Sequence, residues 1–215
     1  MQNKKTDIEK NFFEKERGSL IVISGPSCAG KGTVCRLVTE GDNDLKVSVS
    51  ETTRKPRYYE KDGREYHFVS KDEFKKRIKE DAYLEYACVY EHYYGTRKEY
   101  VENLLNKGYD VILEIDIQGA AKVRKNYKKG IFIFIAPPTM EELKKRIIMR
   151  GTESEKQMET RLKCAYDEMT NADDYSYIVI NDDMHVAASQ VRSIITAEKC
   201  RTERLKNKVK EILVR

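Results

Sequence analysis

The stretch SLIVISGPSCAGKGTVCRLVT, Ser19 to Thr39, decides the fold. Its first six residues are a continuous β-branched run of the kind a parallel strand carries when both its faces are covered. Glycines follow at once, and Lys31 to Thr39 reads as a helix. Strand, glycine-rich turn and helix in that order open an α/β fold. The turn itself, Gly25, Pro26, Ser27, Cys28, Ala29, Gly30, Lys31, Gly32 and Thr33, matches the phosphate-binding pattern GxxxxGK, with the hydroxyl one place later than usual. Backbone N–H groups of such a loop converge on phosphate oxygens, the helix N-terminus adds partial positive charge, and Lys31 reaches the outer phosphates. The expected phosphoryl donor is ATP with Mg²⁺, and Thr33 takes the metal position that Gly32 leaves empty. Cys28 fits the loop if its φ is negative.

Outward from this unit, Tyr109–Ile115, Ile131–Ala136 and Tyr177–Ile180 repeat the apolar strand pattern. Helical stretches are expected over 97–107, 117–126, 139–150, 154–171 and 184–213. The segment from 50 to 96 breaks the rhythm, with short alternating pieces at Glu65–Val69 and Leu84–Tyr90 around a helix opened by Ser70 and Asp72. Nine of the fourteen tyrosines fall between Tyr58 and Tyr100, so amphipathic rings lining a ligand site in a separate small lobe are expected there. Ser50-Glu-Thr-Thr-Arg54-Lys-Pro-Arg57 places two guanidiniums three residues apart, able to close on one phosphate through forked hydrogen bonds. Gly151 reads as a hinge or as an ordinary helix end.

At 215 residues the chain suits one domain with inserted lobes. With 40% hydrophobic and 36% charged residues it is not globally disordered. The longest apolar stretch is far short of a bilayer span, so no membrane partner is expected. The first 17 residues form a charged arm without the apolar core of a secretory signal, which points to the cytosol. Five scattered cysteines and three isolated histidines argue against disulfides and zinc. A net charge of +5 suits anionic ligands without calling for nucleic acid. The tail from Lys199 to Lys210, with six bases and one acid, reads as a packed terminal helix with a solvated face. Whether copies of the chain associate is left open.

The ordered motifs GPSCAGKGT, SETTRKPR, DGREYHFVS, YLEYA with YYGT, LEIDIQGA, IFIAPP, RGTESE and VIND resemble those of guanylate kinase, a nucleoside monophosphate kinase family, from about Leu20 to Asp183. The resemblance implies a P-loop three-layer α/β sandwich with a central parallel sheet, an inserted mixed α+β GMP-binding lobe over 50–96, and a helical lid near 151–171. The core then comprises 18–49, 97–150 and 172–215. It implies transfer of the γ-phosphoryl group from MgATP to GMP, and to dGMP with it. Arg54, Arg57, Tyr66 and Tyr94 fall on the phosphate-gripping positions for GMP, and Ser50, Glu85, Thr96 and Glu114 on the guanine-reading ones. Asp116 matches the acid near GMP and the magnesium, acting on the metal through water. On the donor side Arg146, Arg150 and Arg161 meet the ATP phosphates, and Asn181 lies near adenine. Lys31, Arg54 and these three arginines are the expected catalytic set.

The chemistry agrees with those residue types. Guanine offers N1–H and N2–H₂ as adjacent donors that one carboxylate accepts together, whereas adenine has no donor at N1 and no 2-amino group. Glu114 and Asp116 lie two apart on a strand and share a face. Two other readings stand beside the kinase: a non-catalytic, guanylate-kinase-like phosphopeptide-binding module, and a related sugar-phosphate kinase. The complete phosphate loop weighs against the first, and Ser50, Glu85 and Thr96 against the second.

Overall fold

Alternation within the apolar runs explains why they are apolar throughout. In β1 (Leu20–Ser24), Ile21 and Ile23 face one side of a sheet while Leu20 and Val22 face the other, and all four are buried. The computed structural model describes residues 16–89, 91–149 and 155–214, side chains of 155–157 excepted. Five parallel strands form the main sheet in the order β2 (Leu45–Val47), β7 (Asp110–Glu114), β1, β8 (Ile131–Ala136) and β9 (Tyr177–Ile180). Helices α1 (Lys31–Thr39) and α7 (Met184–Lys199) cover the Ile21 face. On the Leu20 face lie α3 (Lys98–Asn106) and α4 (Ile117–Asn126). This is the α/β fold expected of the Ser19–Thr39 unit, in the three layers that the family resemblance implies.

A second, mixed sheet of four strands lies between β2 and α3 in the chain. Its order is β4 (His67–Phe68), β3 (Glu51–Thr52), β6 (His92–Arg97) and β5 (Tyr83–Val89). The helix α2 (Lys71–Lys79) starts where expected, with the Ser70 hydroxyl accepting from the Glu73 N–H. Register slips by one residue at Leu84, since Tyr83 pairs with Arg97 but Glu85 with Thr96. Such a bulge reverses the alternation of everything beyond it. Tyr83 and Tyr86, three apart, therefore both pack on Phe74. Glu85, next to Tyr86, is turned to the opposite face.

The lobe is tied together by Glu51, only 4% exposed. Its carboxylate accepts from Arg77 and Tyr83, each at 2.5 Å, and from Arg97 at 3.3 Å. Burial alone would raise its pKa, but these donors hold it below the ordinary value. The folded pKa lies under the unfolded one, so this support is present above ordinary carboxylate pH and lost as pH falls through the folded value. Glu51→Gln should destabilise the protein by about 2–3 kcal/mol, because Arg97 loses its counter-charge and Arg77 is left with Glu73 alone. Urea denaturation checks this, and a loss too small to measure would rule it out.

Helix α5 (Met140–Met149) and helix α6 (Glu155–Met169) pack together through Leu143, Ile147 and Ala165. Gly151 and Arg150 lie outside the described residues, as do residues 1–15. The terminal helix expected over 184–213 is two helices, α7 and α8 (Thr202–Leu213), separated by an extended Arg201. The turn directs Arg204 onto Ser19 and the Arg17 carbonyl and Lys208 onto Glu16. Bases thus dock α8 on the body, while Val209, Ile212 and Leu213 are exposed. No described helix is long and apolar enough to cross a membrane.

Candidate active site

The loop from Gly25 to Thr33 lies where β1 ends and α1 begins, at the carboxyl edge of the sheet where open α/β folds bind ligands. Two glycines are demanded by close approach. A Cβ on Gly25 would stand 2.1 Å from the Ile135 carbonyl oxygen, and one on Gly30 would meet the Asn181 amide nitrogen at 2.3 Å. Cys28 departs from expectation, with φ at 65° rather than negative. The left-handed conformation costs an L-residue about 1–2 kcal/mol, and packing of Cys28 against the α5–α6 cluster offsets it. Lys31 Nζ donates to the carbonyls of Gly25 at 2.7 Å and Pro26 at 3.0 Å. Its charge is held over the loop, Pro26 and Ala29 are buried, and Gly32 and Thr33 are exposed at the helix start.

Arg54 and Arg57 do converge, but on an anion from their own loop. Arg54 grips Glu60 through two parallel bonds of 2.9 Å. Arg57 donates its backbone N–H to the same carboxylate at 2.7 Å and lies 3.5 Å from it through its side chain. The Glu60 hydrogen bond raises the Arg54 pKa, while Arg54 and Arg57 draw that of Glu60 down against its burial. The Arg54 guanidinium lies 5.6 Å from the Tyr66 ring centre, and Tyr94 is near enough to help raise its pKa. Tyr66 and Tyr94 meet edge to face at 5.8 Å. Burial, with Glu114 adding to it, pushes the Tyr66 hydroxyl up to about 12, so it stays protonated and able to donate. All four residues expected to grip a phosphate therefore meet. Glu60 was not foreseen, since one acid in a charged loop carries no distinguishing signal.

Ser50, Glu85 and Thr96 also come together, through the bulge. Thr96 Oγ1 donates to Glu85 at 2.7 Å, and Ser50 Oγ lies 3.2 Å from Thr96 Oγ1. Glu85 is 5% exposed and Thr96 fully buried. Burial pushes the Glu85 carboxyl up to about 7; the Thr96 bond opposes this and Asp116 adds to it. The site thus holds an acid poised to change charge near neutrality.

Asp116 caps α4, accepting from the Gly119 N–H at 2.7 Å. Glu114 stands against the phosphate loop, its carboxylate oxygens 3.3–3.4 Å from where a Gly32 side chain would begin. On the other flank Arg146 Nη2 donates to the Asn181 carbonyl at 3.1 Å and its Nε to Glu142. Asn181, 4% exposed, donates through its side chain to the Ala29 carbonyl at 2.7 Å, clamping the loop. Arg161, on α6, is half-buried and partnered. Glu168, two turns along α6 from Arg161, is a second residue that was not foreseen. It accepts from the Ser27 N–H at 3.3 Å, and burial raises its pKa while Lys31 lowers it. No group of three or more metal-ligating side chains occurs among the described residues.

A phosphate loop with a second cluster of arginines and tyrosines defines a P-loop α/β protein built to hold two phosphorylated ligands. The family model described as guanylate kinase matches residues 17–198. A guanylate kinase from Caldanaerobacter subterraneus is 56% identical over 90% of this chain and 94% of its own length. One from Clostridium perfringens is 53% identical over 98% and 94%. The crystal structure of guanylate kinase from Anaplasma phagocytophilum superposes with a TM-score of 0.75, at 33% identity, over 88% of this chain and 90% of that one. The chain belongs to the guanylate kinase family.

Proposed function

We propose that this protein transfers the γ-phosphoryl group of ATP to GMP, yielding ADP and GDP, with dGMP as a second acceptor. The observation that carries the reading is the buried Glu85–Thr96–Ser50 group and the Arg54–Arg57–Tyr66–Tyr94 cluster in one small lobe, with Glu85, Thr96 and Tyr94 on its strands and the others in the segments that flank them. A carboxylate facing N1–H and N2–H₂ selects guanine, and the cationic cluster takes the monophosphate. Family membership supports the same assignment. The second sheet with α2 acts as the GMP-binding lobe, residues 50–96, and α6 belongs to the lid.

The loop from Gly25 to Thr33 binds the triphosphate through its amides and Lys31, and Asn181 lies on the donor side with Arg146. Arg161 meets the ATP phosphates from the lid; Arg150, assigned to the same phosphates, lies outside the described residues. The Thr33 hydroxyl, the phosphate oxygens and, through water, Asp116 would hold magnesium, which when bound would neutralise charge on the migrating group. A cation that keeps most of its ligands as water and phosphate is in keeping with so sparse a protein donor set. Glu114 stands beside Gly32 and near enough to Tyr66 to raise its pKa, between the donor loop and the acceptor residues. Transfer through a loose transition state needs positioning and positive charge rather than a strong base, and these residues supply both.

Turnover of MgATP with GMP, AMP, UMP or CMP supplied singly tests the proposal. ADP and GDP should form rapidly with GMP alone; binding of GMP without turnover would overturn it.

Acceptor binding should depend on pH in a stated direction. The folded pKa of Glu85, about 7, lies above its unfolded value. What its neutral form adds to stability is therefore full below the unfolded pKa and lost as pH rises through 7. Guanine needs the ionised form. The KM for GMP should consequently rise as pH falls below 7, by up to about tenfold per unit. The phosphate of GMP titrates near 6 in the same direction, so the comparison is with Glu85→Gln, in which the Glu85 contribution vanishes. Parallel pH profiles for the two proteins would refute it.

A further inference from the structure

Glu85 reaches its place because a neighbouring helix has nothing there. A Cβ built on Gly119 would stand 2.6 Å from Glu85 Oε2, closer than such atoms approach, and 3.2 Å from its carboxyl carbon, a tight contact. From Asp116 Oδ1 it would be 3.4 Å, an ordinary contact. Gly119 is buried in the first turn of α4, with its N–H held by Asp116. It is not in a left-handed conformation, so backbone freedom does not account for the residue type. Alanine is the better helix former, and nothing in the helix itself calls for glycine.

We infer that Gly119 is a specificity-determining position: its missing side chain is the space in which the base-reading carboxylate stands. This rests on the proposed role of Glu85. The helix cannot yield in place of the carboxylate. One turn on, the Lys122 ammonium donates to the Tyr86 carbonyl and lies 4.5 Å from the Tyr86 ring centre, tying α4 to β5. Ala120 and Val123 anchor the other side in the core. A methyl group at Gly119 therefore displaces the flexible end of Glu85, breaks its bond to Thr96 and misaims both oxygens. Asp116 and the phosphate loop are left in place. Gly119 acts through Glu85 and is a positioning residue.

The test is Gly119→Ala, made alone and in the Glu85→Ala background. Alone it should raise the KM for GMP by about tenfold to a hundredfold, the worth of a hydrogen bond to a charged group. It should narrow the preference for GMP over AMP and leave the KM for ATP unchanged. In the Glu85→Ala background the added methyl meets no carboxylate, and the KM for GMP should shift by less than about twofold. That background also serves if the single variant folds poorly. An unaltered KM for GMP in Gly119→Ala, or the same penalty in both backgrounds, overturns the inference while GMP turnover by the parent stands. A parent that does not phosphorylate GMP overturns the functional reading, and this inference with it.

Discussion

Lys31→Ala lowers kcat by about two to three orders of magnitude, the usual cost of removing one preorganised charge from a transition state, and leaves the KM for GMP within about twofold of the parent. The separation follows from position. Lys31 is held by the Gly25 and Pro26 carbonyls of the donor loop, whereas the acceptor groups belong to the second sheet. Truncation leaves the loop amides in place, so ATP still binds, more weakly, without the ammonium that follows charge on the migrating phosphoryl group. The fold should tolerate the change, because Lys31 is only half-buried and lies outside the apolar core clusters. Steady-state kinetics with each substrate varied in turn decides it. An equal rise in both KM values would remove Lys31 from the role assigned.

Glu85→Gln is the second large effect. The amide keeps the shape of the carboxylate but turns one of two acceptors into a donor aimed at a guanine N–H. A site built around hydrogen bonds rejects a mismatched partner by about 10⁴ or more, because buried polar atoms are left unpaired. The ratio of kcat/KM for GMP to that for AMP should fall by about three orders of magnitude. Two losses combine: GMP becomes poorer, and AMP improves because the new N–H can meet adenine N1. Kinetics with both nucleotides checks it, and retention of the parent ratio would mean that guanine is read elsewhere. The KM for ATP should not move, which separates base reading from a general disturbance.

Much of this arrangement is legible before any coordinates, and the reasons differ by element. The run from Ser19 to Thr39 declares itself because a doubly covered strand and a phosphate loop each impose a strict local pattern. Helix α4 falls on the expected residues 117–126, and β8 and β9 on theirs. Strand β6 was not anticipated as a strand, since its polar sequence HYYGTR takes its pairing from β5 and β3 rather than from its own alternation. The bulge at Leu84 is equally silent, because no glycine or proline in YLEYACV marks it. Yet it is what turns Glu85 toward Thr96. The break between α7 and α8 has no proline or glycine to announce it; the turn is made at Cys200 and Arg201, and Arg204 and Lys208 meet the body beyond it. Residue types at the site could be named from motifs, but their internal counter-ions, Glu60 and Glu168, could not.

Glu60 has a consequence for which anions gain entry. With Arg54 and Arg57 sharing the one carboxylate of Glu60, these three groups hold a net charge of one rather than two, and a singly charged guest such as chloride gains little by displacing Glu60. Advantage goes to a newcomer with more than one negative charge, or to one fastened at its far end as well. Discrimination thus begins with the tail of the ligand, before its ring is inspected.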